Sequence, residues 1–167
     1  MTLTLRFAAI LLAVGLPALA WGADPQCAQS PGDVIKVCVS VQAGEGRAVF
    51  EVSRLGRPVL AASNLGLDFV GEPRARYSAI TGVERRSSDS SWEQPWGEER
   101  IIRDQHTQMV VRLKGSTPFT SSVEVTFRLF DDGIGFRYRF TAIPAGREVG
   151  VSADQTSFHT LGDYEAW

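Results

Sequence analysis

The sequence predicts an all-β fold, an antiparallel β-sandwich, on three observations. From Asp33 onward the apolar residues recur with a period of two. No window of about 11–18 residues carries a helical stripe. Asp132-Gly133, a dipeptide suited to a two-residue hairpin turn, separates two alternating runs.

The chain opens on residues 1–20, in which a single charged side chain, Arg6, precedes the apolar run Phe7-Ala8-Ala9-Ile10-Leu11-Leu12-Ala13-Val14. Ala18-Leu19-Ala20 then supplies the small residues that signal peptidase requires. The run is shorter than the about 20 residues of a membrane-spanning helix. Residues 1–20 are therefore expected to be a secretory signal peptide, and 21–167 one domain with no membrane span. Cleavage after Ala23 is the alternative, but it places Trp21 where a small residue is expected. The expected location is the periplasm or the cell surface.

Removing 20 of the 167 residues leaves 147, enough for one domain with a real core. Only Arg6 is lost among charged residues, so 16 basic side chains face 19 acidic ones, a formal charge of −3. With no basic tail or arginine run, nucleic-acid binding is not expected.

Cys27 and Cys38 stand eleven positions apart in a chain bound for an oxidising compartment, where pairing is allowed. A disulfide would close a short loop, add stability on the order of 2–3 kcal/mol, and tie the segment around Cys27 to the first strand. The alternative is two unpaired thiols, with Cys38 filling a strand position. Two cysteines with the distant His106 and His159 show no zinc-ligand spacing.

In the first strand Ile35, Val37, Val39 and Val41 share one face, and Lys36, Cys38 and Ser40 the other. Gly44-Glu45-Gly46 reads as a turn into residues 47–53, and Leu55-Gly56 as a second turn into residues 57–60. Residues 65–70 form a further strand, closed by Gly71-Glu72-Pro73. Residues 87–91, Ser-Ser-Asp-Ser-Ser, read as a polar loop, and residues 101–111 as a strand that contains His106.

Residues 123–131 and 134–140 form the hairpin about Asp132-Gly133. With Asp131 opposite Ile134, Leu129 faces Phe136, Phe127 faces Tyr138 and Val125 faces Phe140, all on one side. The same register sets Arg128 against Arg137 and Thr126 against Arg139 on the other side. That arrangement calls for acidic neighbours, of which Glu124 and Asp131 are local. The face is either solvated and balanced by those acids, or a docking surface for another domain built on Arg128, Arg137 and Arg139. Gly133 is expected to supply positive φ in the turn, and Gly135 a gap beside Phe130.

Two stretches carry a family likeness. They are Gly82-Val83-Glu84-Arg85-Arg86 leading to Trp92-Glu93-Gln94-Pro95-Trp96-Gly97-Glu98, and Phe130-Asp131-Asp132-Gly133-Ile134-Gly135-Phe136-Arg137-Tyr138-Arg139-Phe140. With Ser30-Pro31-Gly32, Leu55-Gly56-Arg57-Pro58-Val59 and Leu65-Gly66-Leu67 in the same order, they resemble the amino-terminal domain of glycoside hydrolase family 97. The resemblance covers nearly all of residues 21–167. It implies a super-sandwich of the galactose-mutarotase-like kind, packed on a (β/α)₈ barrel that holds the catalytic carboxylates and hydrolyses α-glucosides or α-galactosides.

The sequence ends at Asp163-Tyr164-Glu165-Ala166-Trp167, inside what resembles the sandwich. The expectation is a sandwich incomplete at its carboxyl side, with no catalytic residue and the barrel domain as its missing partner. The resemblance implies calcium only for the full-length family enzyme. None of its ligands is matched here, so no metal ligand and no cofactor are expected in this chain.

Glu93, Glu98 and Glu99 lie beside Trp92 and Trp96, and an aromatic platform next to acids is what sugar recognition uses. Trp92, Trp96 and Glu98 are the candidate contacts for an oligosaccharide. The plainer reading makes one tryptophan core and the acids solvated loop charges. A free-standing carbohydrate-binding module is the alternative function. A mutarotase-like epimerase, with His106 or His159 as acid, is a more distant one. No nucleophile elbow, phosphate loop or nucleotide fingerprint occurs.

Overall fold

The computed structural model describes residues 24–42 and 44–163. The signal peptide read at residues 1–20 and the terminal Tyr164 to Trp167 lie outside the described residues. Ten strands follow in chain order: β1 (Gln26–Gln29), β2 (Ile35–Gln42), β3 (Arg47–Arg54), β4 (Arg57–Leu65), β5 (Leu67–Phe69), β6 (Tyr77–Glu93), β7 (Ile101–Gly115), β8 (Val123–Leu129), β9 (Ile134–Phe140) and β10 (Val151–Asp154). They build one sheet in the order β1-β2-β3-β4, a second in the order β6-β7-β8-β9, and the pair β5-β10. All the pairings are antiparallel, and the expected all-β sandwich is the one observed.

The core follows from alternation. Ile35, Val37, Val39 and Val41 of β2 are buried, as are Met109, Val111 and Leu113 of β7 and Val123, Val125, Phe127 and Leu129 of β8. Side chains from both sheets join one hydrophobic cluster, with Phe50 of β3 reaching Phe127 and Phe136 across the layer at centroid separations of 6.0 and 5.5 Å. The edge strand β9 contributes Ile134, Phe136, Tyr138 and Phe140, which are only half-buried.

Both edges of the first sheet are tied down. Cys27 faces Cys38 in the β1–β2 ladder and is disulfide-bonded to it. The other edge, β4, is lined by the segment after β10. There Ser157 N–H donates to Asn64 O at 3.2 Å, Ala61 N–H to His159 O at 2.9 Å and Leu161 N–H to Val59 O at 3.3 Å. An exposed edge invites pairing with another chain, and these bonds occupy part of it. The double substitution Cys27→Ala/Cys38→Ala is expected to lower unfolding free energy by about 2 kcal/mol, since a short loop is freed while the β1 ladder remains. Urea titration checks this, and an unchanged midpoint would mean the disulfide adds no stability.

The structure departs from the sequence reading at four places. Residues 87–91 are not a loop but the middle of β6, paired from Ser87↔Thr107 to Ser91↔Arg103. Strand pairing satisfies backbone groups whatever the side chains are, and here the side chains are mostly exposed because no second layer covers them. The hairpin register is displaced by two residues: Leu129 faces Ile134, Phe127 faces Phe136 and Val125 faces Tyr138. The connection is the longer loop Phe130-Asp131-Asp132-Gly133, closed by Phe130 N–H to Gly133 O at 2.8 Å, and Gly133 does not take the expected positive φ. Arg128 consequently faces Gly135 rather than Arg137, and Arg139 faces Glu124. Finally, the expected strand 65–70 is split at Gly66, whose φ of 148° ends β4 and leaves only the three-residue β5.

Candidate functional site

The β6–β7 pair outruns its sheet. The β8 ladder on β7 ends at Thr107↔Leu129, whereas the β6 ladder continues to Glu93↔Ile101. The overhanging residues form a two-stranded ribbon reaching roughly 20 Å beyond β8. Asp89 accepts a bidentate pair of bonds from Arg103 at 2.9 and 2.7 Å, and this guanidinium holds its carboxyl below the usual range. Nearer the tip, Arg100 donates to Glu93 at 2.6 Å, Gln94 N–H donates to Arg100 O at 3.0 Å, and the Gln94 amide donates to Glu99 O.

This tip holds Trp92 and Trp96, which are 52% and 83% exposed, and Ile101, which is 64% exposed. The expectation that one tryptophan is core is therefore overturned, because the ribbon has no layer packed over it. Glu98 lies exposed in the loop between β6 and β7 that also carries Trp96. Glu93 is committed to Arg100, and Glu98 and Glu99 are solvent-exposed.

Trp92 shares its face of β6 with Glu84 and Arg86, and this outer face of the sheet is charged. Arg112 donates to Glu84 at 2.7 Å and to Glu124 at 3.0 Å, and the first of these bonds holds the Glu84 carboxyl below its ordinary range. Arg139 stands 3.6 Å from Glu124, Arg86 3.5 Å from Glu84 and Arg128 4.0 Å from Asp104. Arg128, Arg137 and Arg139 are thus neighbours on one largely self-neutralised face. Asp131 takes no part in it: it accepts from Gly32 N–H at 2.8 Å, a residue 99 positions away. Its carboxyl is held low first by Ser30 and then by Gly32.

Among the described residues Arg137 has no ion pair, and it borders a depression of about 340 Å³ with Thr126, Arg128, Phe130, Gly135 and Phe136. Gly135 leaves open space beside Phe130, as the sequence suggested. His106 is a strand residue on the same face, 4% exposed, bonded through Nδ1 to Asp104 and packed on Phe130. His159 lies on the other sheet, where Nδ1 meets Ala62 O at 2.8 Å. The two histidines are not brought together.

No group of three or more His, Cys, Asp or Glu among the described residues is placed to hold a metal ion. No helix among the described residues is long and apolar enough to cross a membrane.

These strands define a domain of the antiparallel sandwich class, with an aromatic ribbon projecting from its two longest strands. The chain belongs to the Glycosyl-hydrolase 97 N-terminal family, whose sequence profile matches residues 28–167. It is 31% identical over 132 residues to a probable retaining alpha-galactosidase of Streptomyces bingchenggensis (strain BCW-1), covering 77% of this chain and 19% of the relative. Among solved structures it resembles a family 97 enzyme of Pseudoalteromonas sp. strain K8 in complex with acarbose, with a TM-score of 0.72 and 29% identity over 81% of this chain and 20% of that one. The E480Q form of that enzyme with panose gives a TM-score of 0.70 at 28% identity, with the same coverage. The chain spans about a fifth of the length of these relatives.

Proposed function

We propose that this chain is the non-catalytic amino-terminal sandwich of an exported family 97 glycoside hydrolase acting on α-glucosides or α-galactosides. Its β6–β7 ribbon carries Trp92 and Trp96 to the rim of an active site held by a separate barrel domain. The observation that carries this reading is the exposure of both rings, 52% and 83%, at the end of a ribbon braced by Arg103–Asp89 and Arg100–Glu93. Large exposed apolar groups on a rigid projection mark a contact surface, and a tryptophan face suits the apolar side of a pyranose.

Relatives described with panose and acarbose, and one named an alpha-galactosidase, support a sugar as the contact. The Cys27–Cys38 disulfide suits an oxidising location such as the periplasm or the cell surface.

The test follows intrinsic tryptophan fluorescence of the chain during titration with maltooligosaccharides and galactosides, alongside hydrolysis of α-glucoside and α-galactoside substrates. No turnover is expected, and any binding should be weak, on the order of millimolar, because one wall of a site holds only part of a ligand. Trp96→Ala should reduce the response about tenfold or more without lowering stability. Turnover by the chain alone, or an unchanged response in both Trp92→Ala and Trp96→Ala, would overturn the proposal. The same exposed rings also suit a free-standing carbohydrate-binding module, which micromolar binding by the chain alone would favour.

A further inference from the structure

At one end of the sandwich a cavity of about 210 Å³ opens where the β2–β3 turn, the end of β4, the segment before β6 and the residue after β10 meet. Three arginines line it, Arg47, Arg74 and Arg76, with Glu45 the sole acid in its wall among the described residues. Glu45 is paired to Arg47, so the lining carries an excess of positive charge.

Arg74 is held in place by a relay. The buried Asp68 accepts from Ala75 N–H at 2.9 Å and from the Gln155 amide at 2.7 Å, which fixes that amide's orientation. The Gln155 carbonyl oxygen then accepts from Arg74 at 2.7 Å, while Gln155 N–H donates to Gly66 O at 2.9 Å. Arg76 is anchored through its backbone, donating to Ser116 Oγ at 3.1 Å, and its side chain lies against Gly46, where a Cβ would come within 2.9 Å of Nε.

In the same wall Tyr77 is 3% exposed, and its hydroxyl is a buried polar atom without a hydrogen-bond partner. The oxygen ends against Gly66, also a lining residue, where a Cβ would stand 3.1 Å away. A buried hydroxyl left unbonded is costly, and because solvent does not reach this one it closes the wall of the cavity rather than facing into it. Burial, and then the neighbouring Tyr138 and Asp68, push the Tyr77 hydroxyl well above its ordinary value, so at neutral pH it remains a donor.

We infer that this cavity is a binding site for a small oxyanion of the phosphate or sulfate type, free or carried on a monosaccharide. Arg74 and Arg76 supply the unanswered charge and the donors, with Arg47 beside them already paired to Glu45. Guanidinium forks match such oxygens in geometry, and a preorganised arginine loses little freedom on binding. A neutral ligand of the same size would leave the excess charge unanswered. The site stands apart from the tryptophan ribbon, and neither reading depends on the other.

The experiment is calorimetric titration of the chain at low salt and pH 7 with inorganic phosphate, glucose 6-phosphate and glucose, repeated on Arg74→Ala and Tyr77→Phe, with thermal unfolding of each. Inorganic phosphate should bind, and glucose 6-phosphate tighter still if the anion is carried on a sugar; glucose should not. Arg74→Ala should weaken binding about tenfold or more, whereas Tyr77→Phe, which changes no atom open to the cavity, should bind like wild type. Tyr77→Phe should leave Tm unchanged or raised, since it removes an unpartnered hydroxyl while keeping the ring. The inference fails if the wild-type chain does not bind phosphate, or if glucose binds as well as glucose 6-phosphate. It fails equally if Arg74→Ala binds like wild type, or if Tyr77→Phe weakens binding as much as Arg74→Ala does, which would make the loss structural.

Discussion

Replacing Phe127 with alanine is expected to lower the unfolding free energy by about 4 kcal/mol, a large share of the about 5–15 kcal/mol that holds a domain of this size together. Phe127 is 0% exposed and sits where both layers meet. Within its sheet it faces Met109 on β7 and Phe136 on β9, and across the layer its ring lies 6.0 Å from that of Phe50 on β3. Truncation removes the ring's burial and leaves a void that four strands bound. Met109 and Phe50, themselves 0% exposed, are held by their own ladders and cannot fold into it without moving backbone. Phe136→Ala on the half-buried edge strand should cost less, about 2 kcal/mol, because water already reaches that position. Equilibrium urea unfolding of both variants checks the order. A Phe127→Ala loss no larger than that of Phe136→Ala would show that the centre of the core lies elsewhere.

The alternation that places Phe127 inside is legible in the sequence, and so is the buried face of β2, whose Ile35, Val37, Val39 and Val41 are all 7% exposed or less. Period two fixes the face of a residue but not its partner. A displacement of the hairpin by two residues keeps every side chain on its face, so the register is decided by contacts no local pattern records. Asp131 is engaged by Gly32, and Phe130 packs on His106, which together open the turn into a four-residue loop. Residues 87–91 mislead for the opposite reason. Their polarity states that nothing covers them, which is true of a loop and equally true of a ribbon without a second layer.

The candidate sites divide along the same line. Trp92, Trp96 and Glu98 are close in sequence and can be singled out together, although only the structure shows that neither ring enters the core. The arginine cavity joins residues 45–47, 64–66, 74–77 and 155, four segments that nothing in the sequence groups. Its organising contact, Asp68 to Gln155, spans 87 positions and arises only because β10 pairs with β5.

The same dependence on topology makes Gly115→Ala the second large effect, an expected loss of about 3 kcal/mol at a position where alanine is ordinarily harmless in a strand. Gly115 closes β7 opposite Tyr77 without a positive φ, so the objection to a side chain is space rather than backbone conformation. A Cβ there would collide with the carbonyl oxygen of Thr120, and would lie 2.6 Å from Thr120 Oγ1 and 2.8 Å from Thr120 Cβ. Backbone cannot swing aside as the end of a long side chain can, so the loop from Ser116 to Thr120 must move. That loop is held by Gly115 N–H to Thr120 O at 2.9 Å and by the paired hydroxyls of Thr117 and Thr120 at 2.9 Å, on residues only 2% and 0% exposed. Moving it strands buried donors and lifts Phe119 from Phe69, whose rings meet edge-on at 5.6 Å. Gly133→Ala is the matched control, since a Cβ there meets nothing within 4 Å and φ is not positive. Its stability should stay within about 0.5 kcal/mol of wild type. Thermal and urea unfolding of the pair decide the matter: equal stability of Gly115→Ala and Gly133→Ala would mean that the Thr117–Thr120 loop does not pack against the end of β7.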